Sequence, residues 1–134
     1  MKLLLDTHIL MWALAGDPRL PQKAIELINS NENELLCSSA AIWEISLKHA
    51  HDPNEFDLTA EKMIRFCDAN GVIQLPLFFR HIPALNTLQR PENAPLHKDP
   101  FDRIMIAQAK TDQLFFLTHD GLLRYYNEPC IIYV

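Results

Sequence analysis

Residues Met1–Leu10 read MKLLLDTHIL, and this stretch decides the fold. Leu3, Leu4 and Leu5 form a short apolar run without alternation, the pattern of a strand covered on both faces. Asp6-Thr7 then supplies helix N-cap chemistry. The strand therefore delivers a carboxylate at its C-terminal end. Ligands bind at that edge of an open parallel sheet, which makes Asp6 the first candidate functional residue.

The surrounding chain has the means to bury such a strand. With 134 residues, 49% of them apolar, it is expected to form one compact domain over residues 1–134. The apolar start is broken by Asp6, and no apolar run approaches the roughly 18 residues that span a bilayer, so neither a signal peptide nor a membrane helix is expected. Cys37, Cys67 and Cys130 are odd in number, widely spaced and set among apolar residues. They read as reduced core thiols, which favours a cytoplasmic protein over a disulfide or zinc framework. The net charge of −5 argues against nucleic acid at first sight. If four carboxylates are held on a metal, however, the remaining surface is close to neutral and a local basic rim can still meet phosphates.

Working outward, Thr7–Ala15 is apolar nearly all round and predicts a helix stopped by Gly16, with Trp12 buried in it. Pro21–Asn31 predicts a second helix with Pro21 in its first turn. Glu34–Ser39 repeats the first pattern: a short strand, then serines that cap a helix over Ala40–His49. Glu44 lies in that helix between Ile42-Trp43 and Ile45, a poor place for an unpaired charge. A ligand role and an i,i+4 ion pair with Lys48 are both open readings. His49–Asp57 reads as a loop whose two histidines share no helix face. Thr59–Asn70 is an amphipathic helix, Val72–Leu75 a third strand, and Arg80–Leu88 another helix despite Pro83.

The second informative stretch is HKDPFDRIMIAQAK, residues 97–110. Asp99 is a natural N-cap, Pro100 takes the first helical position and Asp102 falls at N3, so a helix over Pro100–Lys110 has a well-specified start. Leu114–Thr118 is a fourth buried strand, followed by His119-Asp120-Gly121, a short helix to Tyr126 and a last strand over Cys130–Val134. Alternation of strands and helices implies an α/β fold with a parallel sheet of about five strands and helices on both faces. Right-handed crossovers then bring Asp6, Glu44, Asp120 and the helix start at Asp102 toward one sheet edge. Two carboxylates about 4 Å apart repel by roughly 4 kcal/mol at an effective dielectric of 20, so such a cluster either protonates or binds a cation. All-oxygen ligands select Mg²⁺ or Mn²⁺ over zinc, and ions so held typically activate water for in-line attack on a phosphodiester.

Four motifs carry a resemblance: LLLDTHILMW, SSAAIWEISLK around Glu44, HKDPFDRIMIAQA around Asp102, and LTHD ending at Asp120. In order and spacing the chain resembles, nearly end to end, the PIN-domain ribonucleases, in particular the VapC-type toxins of toxin–antitoxin pairs. The resemblance implies a three-layer α/β/α PIN-like fold and a Mg²⁺- or Mn²⁺-dependent endoribonuclease held inactive by a cognate antitoxin. It also implies a homodimer and an RNA substrate. Carried over by position, the catalytic and metal-binding acids are Asp6, Glu44, Asp102 and Asp120. Asp99 is an additional acid that either assists or only caps its helix. Thr7 and Thr118 are candidates to hydrogen-bond the acids, and Lys48, Lys98, Arg103 and Arg124 to form a basic rim for RNA. The chain departs from the family pattern after Lys48, where HAHDPNEFDL replaces a Gly-Lys-Leu turn. Haloacid-dehalogenase-like phosphatases need a second Asp two residues after the first, and His8 stands there; receiver domains begin with paired acids that are missing here. The remaining alternative is a PIN fold that binds RNA or protein without catalysis, which would be expected to lose one of the four acids.

Overall fold

The computed structural model describes residues Met1–Val134 and is built around strand β1, Lys2–Leu5. Leu3, Leu4 and Leu5 are at most 2% exposed, and burying each contributes roughly 1.5–3 kcal/mol. β1 sits at the centre of a five-stranded, wholly parallel sheet for that reason. The other strands are β2 (Glu34–Ser38), β3 (Ile73–Leu75), β4 (Phe115–Thr118) and β5 (Ile131–Tyr133), in the order β3-β2-β1-β4-β5. Leu4 pairs with Leu36 on one side and Phe116 on the other, so the sheet's middle is a continuous apolar layer. Helices flank it in an α/β/α arrangement.

The chain runs outward from β1 to β2 and β3, then returns to the other side of β1 for β4 and β5. The direction of winding therefore reverses between β1 and β4. That reversal leaves a crevice at the C-terminal strand ends, where the connections on either side turn away from each other.

Helix α1 (Thr7–Ala15) ends at Gly16, which takes a left-handed φ of 61°, as the sequence predicts. Helix α2 is shorter than expected, Gln22–Asn29, with Pro21 just outside it as the N-cap. Helix α3 (Ser39–His51) runs two residues past the expected end at His49, so that both histidines are helical and the chain turns only at Asp52. Helix α4 spans Ala60–Ala69, capped by the Thr59 side chain, and helix α5 spans Pro100–Asp112 with Asp99 as its expected cap. Arg80–Leu88 is not an α-helix but two 3₁₀ turns, Phe79–His81 and Pro83–Thr87, because Pro83 lacks the N–H that an α-helical turn would use. Gly121–Tyr125 is likewise a 3₁₀ turn. Trp12 is half-buried and not enclosed: α1 buries Thr7, Ile9 and Leu10, while the indole packs edge-on against His8 and His119. Cys37 and Cys67 are buried and Cys130 half-buried, all three unbridged. No helix is long and apolar enough to cross a membrane.

α5 ends on Gln113, whose φ of 58° is left-handed while its N–H bonds the Ala109 carbonyl. A side chain there costs about 1–2 kcal/mol of backbone strain, part of which glycine's greater unfolded freedom offsets. Gln113→Gly is therefore expected to stabilise the protein by about 0.5–1 kcal/mol, read as a higher urea midpoint at unchanged slope.

Candidate active site

Four acidic side chains reach the crevice from four different elements. Asp6 ends β1 and caps α1: its Oδ1 accepts the Thr7 N–H at 2.7 Å and its Oδ2 accepts the Thr118 hydroxyl at 2.7 Å. The Thr118 Oγ1 in turn accepts the Asp120 N–H at 3.0 Å. One threonine at the end of β4 thus ties together the two acids on either side of the winding reversal. Asp120 turns its Oδ1 back onto the Leu122 N–H at 2.9 Å.

Glu44 comes from the second turn of α3, where it is 6% exposed. Its Oε1 accepts the Thr7 hydroxyl at 2.6 Å and its Oε2 pairs with Lys48 at 3.0 Å. The two readings left open by the sequence are compatible, since the ion pair forms and the carboxylate is still buried toward α1. Asp102, in the first turn of α5, is 8% exposed, and its Oδ2 lies 3.2 Å from His97 Nε2. Atoms of Asp102, Asp120 and His97 that can bind metal all fall within 4.8 Å of one another. Asp99 is occupied otherwise: its Oδ1 caps α5 by accepting the N–H groups of Phe101 and Asp102.

The electrostatics follow from this crowding. Burial above all, then the charges of Glu44 and Asp120, push the Asp6 carboxyl up to about 7 against the two hydrogen bonds that favour its anion. Burial and the charges of Asp6, Asp99, Glu44 and Asp120 push Asp102 up to about 9. His8 sits beside them with its Nε2 accepting the His119 N–H at 3.0 Å, so its proton is on Nδ1, 3.3 Å from Asp6 Oδ2. Burial lowers its pKa to about 4, so it stands beside Asp6 as a neutral ring.

The candidate basic rim divides. Lys98 is exposed and makes no ion pair, and Arg124 is exposed with its guanidinium 4.7 Å over the Tyr133 ring. Lys48 is half in solvent while bound to Glu44. Arg103 is turned inward, donating to the Tyr126 hydroxyl at 2.9 Å and the Leu85 carbonyl at 3.2 Å, and is committed to the fold in this conformation. His8, His97 and Tyr126 are the site neighbours that sequence reasoning missed. His97 alone left a signal, being a histidine immediately before the helix start that carries Asp102.

The donor set suits a hard divalent cation. Asp6, Glu44, Asp102 and Asp120 are oxygen donors, and only Lys48 forms an ion pair with any of them. Raised carboxyl pKa values mark negative charge that a cation would neutralise.

A doubly wound α/β domain with carboxylates gathered at its winding reversal is a defined class of protein. The PIN domain family profile matches residues 3–128, and the chain belongs to that family. Among solved structures it is similar to the crystal structure of VapBC2 from Rickettsia felis bound to a DNA fragment from their promoter, with a TM-score of 0.71 at 17% identity, covering 100% of this chain and 98% of that one. It is also similar to VapBC-1 from nontypeable Haemophilus influenzae, with a TM-score of 0.58 at 17% identity, covering 90% of this chain and 87% of that one. No curated protein matches.

The raised carboxyl values set a pH dependence. In the unfolded chain Asp6 and Asp102 ionise near the usual value of 3.8, so the folded, metal-free protein binds more protons and loses stability as pH rises through about 7 and about 9. His8, lowered from 6.5 to about 4, acts in the opposite sense, but only below 6.5. Urea unfolding in EDTA is expected to show stability falling between about pH 6.5 and 9, with Asp102→Asn flattening the upper part of that slope.

Proposed function

We propose that this PIN domain is a metal-dependent endoribonuclease, the toxin component of a VapC-type toxin–antitoxin pair, acting in the cytoplasm as one domain. The observation that carries the reading is the convergence of Asp6, Glu44, Asp102 and Asp120 at the winding reversal with a single ion-paired lysine among them. The likeness to the VapBC structures supports an antitoxin partner; the homodimer is proposed from the motif resemblance alone.

Asp6, Glu44, Asp102 and Asp120 would hold one or two Mg²⁺ or Mn²⁺ ions. Such an ion, when bound, supplies Lewis acidity and a water of lowered pKa for hydrolysis of an RNA phosphodiester. The chain's own part is to fix the carboxylates before the ion arrives. Thr7 and Thr118 hold Glu44 and Asp6 from opposite sides, and the Thr118 hydroxyl sets Asp120 relative to Asp6. Lys48, Lys98 and Arg124 are the side chains we assign to RNA phosphates; Arg103 is left out because its guanidinium is already bonded within the protein.

The test is cleavage of a structured RNA pool by antitoxin-free protein in Mg²⁺ or Mn²⁺, with EDTA and with Asp6→Asn or Asp102→Asn as controls. Cutting is expected with metal, absent in EDTA and reduced by ~100-fold or more in either variant, while both variants keep or gain stability in metal-free buffer. Undiminished cutting by either variant would reject the site. Failure of folded, metal-binding protein to cut any RNA would favour a binding module.

A further inference from the structure

Each acid of the cluster has protein groups that fix its orientation, and the groups differ. Asp6 has the Thr7 N–H and the Thr118 hydroxyl; Glu44 has the Thr7 hydroxyl and Lys48; Asp120 has the Leu122 N–H. Asp102 has one donor only, the ring of His97. A terminal carboxylate torsion is broad and roughly two-fold, so without that donor the Asp102 head is free to turn.

His97 is itself fixed from behind. Its ring is 7% exposed and stands perpendicular to Tyr126, at 5.5 Å between centroids. The Tyr126 hydroxyl accepts from Arg103 Nη1 at 2.9 Å and lies 2.7 Å from His97 Nδ1. Arg90 covers the tyrosine ring at 5.0 Å. A phenol has one proton, and the only acceptor in reach of it is His97 Nδ1. The hydroxyl therefore donates to Nδ1, which leaves the ring proton on Nε2, facing Asp102 Oδ2. The chain of donors runs from Arg103 to Tyr126 to His97 to Asp102, each step set by the one before.

We propose that His97 is the positioning residue for Asp102: its Nε2–H occupies Oδ2 and leaves Oδ1 to face the cation, with Tyr126 and Arg103 selecting the tautomer. The assignment rests on the metal-nuclease reading above. It also decides between two roles for His97, whose ring lies within 4.8 Å of the ligand oxygens of Asp102 and Asp120. With Nδ1 filled by the Tyr126 proton and Nε2 protonated, neither nitrogen has a lone pair for a metal. His97 stands behind the ligand and is not one, an arrangement whose loss typically costs 10–100-fold in metal affinity.

The experiment is a Mn²⁺ titration followed by electron paramagnetic resonance on the full chain, with unfolding curves for every variant. His97→Ala is expected to weaken Mn²⁺ binding by ~10–100-fold, and cleavage should return as Mn²⁺ is raised. His97→Gln, which places an amide N–H near the Nε2 position, is expected to recover most of the affinity. Tyr126→Phe, which frees the tautomer but keeps the ring packing, is expected to lose affinity by a smaller factor than His97→Ala. Wild-type affinity in His97→Ala would overturn the proposal, as would a nitrogen coupling to bound Mn²⁺ that vanishes with His97, since that would make it a ligand. Should His97→Ala fold poorly, Tyr126→Phe alone decides, an unchanged affinity overturning the proposal. Absence of Mn²⁺ binding in the wild-type protein would instead overturn the metal reading itself.

Discussion

Crowding of negative charge into a buried crevice is the constraint on which the rest of this structure depends. Asp6, Glu44 and Asp102 are all under 9% exposed, and Asp120 joins them half-buried. An isolated carboxylate moved out of water to this degree either takes up a proton or finds a positive partner. Here a proton is the metal-free answer at Asp6 and Asp102, and Lys48 is the answer at Glu44. The energy that keeps the acids in place comes from elsewhere, chiefly from the leucines of β1 and the apolar strands β2 and β4 on either side of it. The fold's centre and its site are consecutive residues, Leu5 and Asp6. Apolar burial drives the strand inward, and the crevice at its end takes up the charge.

The long irregular stretch between β3 and α5 is held by the same helix that presents Asp102. Prolines at positions 76, 83, 91 and 95 keep an α-helix or a strand from forming there. Several of its polar groups bond to α5 instead. His81, wholly buried, accepts the Phe78 N–H at its Nδ1 and places its Nε2 2.9 Å from Asp112, which Arg80 also grips. Gln108 reaches the Pro76 carbonyl, Arg103 the Leu85 carbonyl and Lys110 the Thr87 carbonyl. Glu128 completes the set by accepting from Lys110 and the Gln89 N–H. A histidine–carboxylate contact thus closes each end: His81 on Asp112 at the C-terminal end, His97 on Asp102 at the N-terminal end. The segment is anchored with no α-helix or strand of its own, only the two 3₁₀ turns.

What was legible in the sequence is what depends on near neighbours or on pattern. β1, the cap at Asp6, the stop at Gly16 and the start of α5 at Asp99-Pro100 are local chemistry, and all appear within a residue of the expected place. The parallel sheet follows from the alternation of apolar runs with helices. The failures also have local causes. α3 outruns its apolar pattern because His49 Nδ1 meets the Phe56 carbonyl at 2.9 Å, which supports two more residues of helix without apolar burial. Pro83 turns an expected α-helix into two 3₁₀ turns. Tyr126 was invisible because its role is a bond to a residue 29 positions earlier, and periodicity carries no information about such a pair. Thr7 and Thr118 were legible as candidates beside acids, but that the Thr7 hydroxyl serves Glu44, 37 residues away, while only its backbone N–H serves its neighbour Asp6, required the fold.

That division of labour at Thr7 has a further consequence for how the site is built. Its backbone N–H goes to Asp6 and its hydroxyl to Glu44, so one residue at the start of α1 sets two acids from different elements. Thr118 does the same at the end of β4, its hydroxyl donating to Asp6 while accepting from the Asp120 backbone. Asp6 is therefore held by both threonines, and the relative placement of Asp6, Glu44 and Asp120 is fixed by side chains that carry no charge. Neutral donors orient carboxylates without cancelling their negative potential as a lysine or arginine would, which preserves the attraction for a cation. Lys48 is the exception, and it is half in solvent on a flexible stem, so it can move aside where a bound cation takes over the charge of Glu44. The arrangement keeps the ligand atoms ordered and the crevice negative at once, which a network of buried salt bridges would not do.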